Sequence, residues 1–174
     1  MEPTYNELPE KLKHYLMNLS NYVDSRIYFF GSIQRLDYLP GISDIDCVLF
    51  VENEKSATHK LAHFLQIDPI KIKKVFFFKH KYATGYKVKF IYDDIKIELI
   101  VYNEIYKDVI LDFQYIEMSP IIACMLYILK VCFYKLEMFS YNVFKKIKNS
   151  ILCRYGTHIF IVIPNKYLVN QINI

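Results

Sequence analysis

Apolar positions recur at two different periods along this chain, and the change of period maps its organisation. Leu8, Leu12, Tyr15, Leu16, Leu19 and Val23 fall at helical spacing and predict an amphipathic first helix that Asp24-Ser25 breaks. Arg26–Phe30 reads as a short strand. Gly31-Ser32 then turns the chain into a brief helical segment that Pro40-Gly41 ends. Asp44–Val51 is the next strand, apolar apart from its two acids, and Ser56 is the expected cap of a helix through about Gln66. From Ile70 to Tyr102 the pattern turns to β. One strand takes in Ile70, Ile72 and Val75–Phe78, a second runs over Tyr86–Tyr92 and a third over Ile95–Tyr102, with breaks at Ala83-Thr84-Gly85 and Asp93-Asp94. After Ser119-Pro120, the run IIACMLYILKVCFYKLEM predicts a long, mostly buried helix. Tyr141–Cys153 predicts another, with Lys145, Lys146 and Lys148 exposed, and Ile159–Ile163 a final short strand ended by Pro164.

No internal repeat, low-complexity stretch or linker interrupts this order. With 174 residues the expectation is therefore one α+β domain over residues 1–174, large enough for a single core. A hydrophobic content of 53% excludes a disordered chain. The net charge of +4 admits an anionic partner without requiring one. Cys47, Cys124, Cys132 and Cys153 show no CxxC spacing and sit in apolar runs, so they read as small buried hydrophobes rather than a zinc or disulfide framework. Met17, Met118, Met125 and Met138 read as core. The polar N-terminus, with Pro3, Glu7 and Glu10, is unlike a signal peptide. The longest apolar stretch, Ile121–Leu129, stops at Lys130, short of the roughly 20 residues that span a bilayer. These features lead us to expect a soluble intracellular protein that does not enter membranes.

Chemistry concentrates in residues 29–51. An apolar strand runs into Gly31-Ser32, eleven residues intervene, and Asp44 and Asp46 follow with one apolar residue between them. Strand alternation places the two carboxylates on one face, about 7 Å apart along the chain. Magnesium prefers oxygen ligands and keeps several waters, so two or three such carboxylates are enough to hold it. Glycine lets a phosphate approach the backbone, amides at a helix start attract anions, and the Ser32 hydroxyl adds a donor. Arg35, one turn further on, can reach the same phosphates with its planar fork. Glu98 is the lone acid inside Ile95–Val101, where a carboxylate is costly unless paired or metal-bound. Glu104 and Asp108 lie beyond that strand, and Asp93 and Asp94 fit a turn.

The segment resembles the signature of the nucleotidyltransferase superfamily typified by DNA polymerase beta. In that signature an apolar residue precedes Gly and then Gly or Ser. About nine to thirteen residues later come Asp, an apolar residue, Asp or Glu, and another apolar residue. Phe30-Gly31-Ser32 and Asp44-Ile45-Asp46-Cys47 fit every position, Ile97-Glu98-Leu99 matches the later acidic strand, and Arg35 matches an Arg three residues after the Ser. The resemblance implies a small mixed β-sheet with flanking helices, and two magnesium ions (or manganese) held by Asp44, Asp46 and Glu98. It implies an NTP donor bound through Gly31, Ser32 and Arg35, and a hydroxyl acceptor on RNA, a protein or a small molecule. Glu98 departs from the commoner Asp at its position.

Blander readings stand beside these. Glu98 can be a buried acid paired with Lys87, Lys89 or Lys96, and Arg35 a surface residue. A member of the superfamily can also keep the scaffold as a non-catalytic binding or regulatory module, antitoxin-like or RNA-binding. His59 and His63 are spaced to share a helix face, but no third ligand accompanies them, so a plain helix surface is expected. The lysines at 71, 73, 74, 79, 81, 87, 89 and 96 interleave with aromatics. They suit either a basic groove for a nucleic acid acceptor or, preferably, the solvated side of strands whose aromatics form the core.

Overall fold

The computed structural model describes residues 1–77, 80–114 and 118–154, and side chains for all of these except 77, 80–82, 113–114 and 153–154. The strand expected at Ile159–Ile163, residue 79 and the side chains of Lys81 and Cys153 lie outside what is described. Helix α1 spans Glu10–Val23 and buries Leu12, Leu16, Leu19 and Val23, so the helical stripe seen in the sequence is its core face. Asp24 ends it in the left-handed conformation. Strand β1 is Ile27–Phe30, followed by a 3-10 turn over Gly31–Gln34, and β2 is Ile45–Val51. Helix α2 spans Glu54–Leu65 and is capped by Asn53, whose side chain accepts from the Ser56 amide at 3.0 Å. The capping residue thus lies three positions before the expected Ser56. Strands β3 (Lys73–Phe77), β4 (His80–Tyr92) and β5 (Ile95–Asn103) come next, then helices α3 (Lys107–Gln114), α4 (Pro120–Tyr134) and α5 (Tyr141–Arg154).

The five strands form one mixed sheet in the order β1-β2-β5-β4-β3. Only β2 and β5 run parallel, and the connection between them carries α2, β3 and β4. The architecture is the mixed α+β sheet with flanking helices that the signature implied. One face of the sheet, with Ile45, Cys47, Leu49, Ile97, Leu99 and Val101, packs against α1 and α2 in the main core. Val48, Phe50, Ile100 and Tyr102 point to the opposite face and meet Ile110 of α3.

Four expectations need correcting. Ala83-Thr84-Gly85 does not break the sheet. β4 runs through it, and Gly85 is there because the Tyr102 ring lies over it: a Cβ would stand 2.6 Å from Cδ1 and Cε1 of that ring. Ile70 is in a 3-10 turn, 85% exposed, rather than in a strand. The helical segment after Phe30 stops at Gln34, well before Pro40-Gly41. Finally, α4 ends at Tyr134 and is not mostly buried. Ile121, Cys124, Met125, Tyr127 and Ile128 are exposed, and so are Met17 and Met138. No described helix is long and apolar enough to cross a membrane.

Candidate active site

Sheet register lines up the chemistry. Phe30 pairs with Asp46, Asp46 with Glu98, and Glu98 with Lys89, giving one row across β1, β2, β5 and β4. Alternation puts Asp46 and Glu98 on the face opposite α1 and α2. Asp44 precedes the first residue of β2 and is exposed at its mouth. Gly31 turns back over the start of this row with φ +72°, a conformation that glycine adopts without cost. Its Cα lies so close to Asp46 that an added Cβ would overlap Oδ2 and sit 3.2 Å from Cγ. The glycine of the signature is therefore fixed by contact with the carboxylate of the signature.

The two acids in the row are held in opposite charge environments. Burial, the neighbouring charge of Glu98 and, less strongly, Asp44 push the Asp46 carboxyl up to about 7, against the opposing charges of Lys148 and Lys87. Burial acts the same way on Glu98, yet ion pairs with Lys87 and with Lys89 (2.7 Å) outweigh it and hold that carboxyl below its ordinary value. Lys87 is itself buried, while Lys89 is mostly exposed. Cys47, between the acids' strands and the core, is pushed well above the usual thiol range by burial, so it is a small hydrophobe as expected.

Arg35 is forked onto Asp37 at the start of the loop that leads to Asp44. Its Nε donates to Asp37 Oδ1 at 2.8 Å and its Nη2 to Asp37 Oδ2 at 3.2 Å. Burial raises the Asp37 carboxyl, but Arg35 and Lys130 together hold it below its ordinary value. Ser32 is buried in the turn beside Gly31. On the other side of that turn, Asn6 Nδ2 donates to the carbonyls of Ile33 (2.9 Å) and Arg35 (2.7 Å), tying the N-terminal segment to it. The sequence reading missed Asn6, Asp37 and Lys130. Lys130 carried a usable signal, since it is the lone charge inside the apolar run of α4, much as Glu98 is the lone acid in β5.

Among the described residues no three His, Cys, Asp or Glu side chains converge closely enough to hold a metal ion. Asp44 and Asp46 still suit magnesium, which commonly takes one or two carboxylates together with substrate phosphates. Asp46 in particular is a partly buried acid crowded by two other negative charges, an arrangement that a divalent cation relieves. Glu98 has its two oxygens on lysines. His59 and His63 lie on the exposed side of α2, with His63 Nδ1 hydrogen-bonded to the Tyr22 hydroxyl at 2.8 Å. Tyr86 and Phe90 of β4 pack against the main core, so these two aromatics face inward.

A family model for the nucleotidyltransferase domain matches residues 10–120, from the first residue of α1 to the first of α4. No curated protein and no solved structure matches the chain.

Proposed function

We propose that this chain, which belongs to the nucleotidyltransferase domain family, moves a nucleoside monophosphate from an NTP to a hydroxyl on RNA, a protein or a small molecule. Nucleotidyl transfer is the general activity of the domain. The observation that most supports it here is the register pair Asp46–Glu98 beneath Gly31.

In the reaction the acceptor oxygen attacks the α-phosphorus in line. The new O–P bond forms as the bond to pyrophosphate breaks, and the hydroxyl proton passes to a base. Two magnesium ions, or manganese, would supply charge neutralisation at the attacking and leaving oxygens. Asp44 and Asp46 are the carboxylates for them, beside the phosphates. Glu98 is the third acid and the base for the hydroxyl proton, once Lys87 and Lys89 exchange it for the more highly charged triphosphate. Gly31 and Ser32 bring backbone and hydroxyl to the phosphates. Arg35 meets them with the edge of its guanidinium that Asp37 does not hold. The test is incubation with each labelled NTP, magnesium or manganese, and RNA, protein or small-molecule acceptors. Transfer should appear in the native chain and vanish in Asp46→Ala; transfer that survives this substitution overturns the reading.

One observation favours a second reading, that of a non-catalytic module on the same scaffold. Glu98 is neutralised by two lysines from the neighbouring strand. That reading predicts NTP binding with no transfer to any acceptor, and no gain in metal uptake when both lysines are replaced by methionine.

A further inference from the structure

The structure assigns a part in the site to a residue outside the matched domain: we propose that Lys130 of α4 is a positioning residue that fixes the loop delivering Asp44. The inference rests on the reading of Asp44 and Asp46 as metal ligands given above. Lys130 is buried, and its ammonium has three partners, all on one loop. It donates to the Asp37 carbonyl at 2.7 Å, lies 3.1 Å from Asp37 Oδ2 and donates to Ser43 Oγ at 3.1 Å. Asp37 is fully buried and also receives the Arg35 fork. Ser43 Oγ in turn accepts from the Leu39 amide at 3.1 Å. The segment between the Gly31-Ser32 turn and Asp44 is thereby pinned at its middle and at its last residue to one helix.

A stability argument alone accounts poorly for this arrangement. Removing two opposite charges from water largely cancels their attraction, and apolar replacements of similar volume often serve as well. What the ammonium supplies is geometry. It has three donors, and each sets the place of a different loop atom. The last of them is on the residue immediately before Asp44, so the backbone that carries that carboxylate cannot drift. Side chains that orient metal ligands from behind typically change metal affinity by about 10–100-fold when removed.

The experiment is titration of the full chain with Mn2+, followed by electron paramagnetic resonance without nucleotide, in the native protein, Lys130→Met, Ser43→Ala and Asp46→Ala. Thermal melting is run on each. We expect Lys130→Met to weaken Mn2+ binding roughly tenfold. Ser43→Ala removes one of the three contacts without touching the buried charge, should fold like the native chain, and weakens binding by a smaller factor. It decides the matter if Lys130→Met does not fold. Native uptake that is lost in Asp46→Ala but unchanged in the folded Lys130 and Ser43 variants overturns this proposal alone. No uptake by the native chain, or uptake that persists in Asp46→Ala, overturns the reading of the acids and this proposal with it.

Discussion

Asp46 and Glu98 are register partners on adjacent parallel strands, yet the carboxyl of Asp46 is pushed up to about 7 while that of Glu98 is held below its ordinary value. The difference comes from the next strand. β4 gives Glu98 two lysines at once, and Asp46 has only the more distant pull of Lys87 and Lys148. One row of the sheet therefore holds an acid that resists ionisation beside one that is locked into it.

This asymmetry gives stability a pH dependence of defined sign. Asp46 titrates near 7 when folded and near its ordinary value of 3.8 when unfolded, so between those values the native state holds a proton that the unfolded state has lost. Its contribution is present at low pH and disappears as pH rises through 7. Without metal, melting temperature should fall between pH 5 and pH 8, and Asp46→Asn should flatten that slope and raise the melting temperature at pH 8 by about 5 °C. Adding magnesium should stabilise the native chain more at pH 8 than at pH 5. Differential scanning fluorimetry over that range checks both expectations, and a slope that persists in Asp46→Asn would contradict them.

Glu98 and Asp37 have the opposite sign. Their lowered carboxyls contribute stability above the ordinary carboxylate range that is lost as pH falls through it, so the chain should also weaken below about pH 4. Lys87→Met removes the buried partner of Glu98 and should cost about 2 kcal/mol, while Lys89→Met removes an exposed one and should cost less than about 1 kcal/mol. Carbon-13 NMR of the Glu98 carboxyl should show its titration moving upward in both variants, further in Lys87→Met.

Gly31→Ala should be costly for two separable reasons. The positive φ disfavours any side chain by about 1–2 kcal/mol, and the new methyl overlaps the Asp46 carboxylate. The second cost disappears when the carboxylate is shortened. Urea unfolding of Gly31→Ala, Asp46→Ala and the double variant should give a coupling of about 1–2 kcal/mol, the double variant being more stable than the sum predicts. Additive costs would show that the contact is relieved by movement of the turn.

Gly85→Ala is predicted to destabilise by about 2–4 kcal/mol although it lies far from the acids along β4. The methyl would stand 2.6 Å from the buried Tyr102 ring and 2.7 Å from the Val101 carbonyl, and neither a buried ring nor a strand backbone yields easily. Chemical denaturation checks the value, and a cost below about 0.5 kcal/mol would mean that the ring is free to shift.

Most of the architecture could be read from the sequence because period reports packing. The stripe from Leu12 to Val23 names the buried face of α1, and the unbroken apolar run Leu99–Tyr102 marks a strand that is covered on both faces. The misreadings arose where period carries no information. Gly85 resembles a break until the ring of a residue on the neighbouring strand is placed over it. The run of α4 is apolar all round, so composition alone could not show that Leu126 and Leu129 have partners while Ile121 and Ile128 do not. At the site, the signature residues are close in sequence and their spacing is informative. Asn6, Asp37 and Lys130 act through contacts between distant segments, and no spacing rule links them, whereas Lys87 and Lys89 were among the partners expected for Glu98.

The contact between Gly31 and Asp46 also constrains how this gene can change. While the carboxylate is present, a side chain at 31 meets both it and the backbone penalty; once it is lost, the overlap with Oδ2 goes, while the positive φ and the 3.3 Å approach of the residue 46 Cβ remain. A lineage that loses Asp46 first can then alter position 31. After that, restoring the aspartate would recreate the overlap, so the way back is blocked until the glycine also returns. Loss of this site would therefore act as a ratchet, since the carboxylate is more easily given up than regained once position 31 has changed.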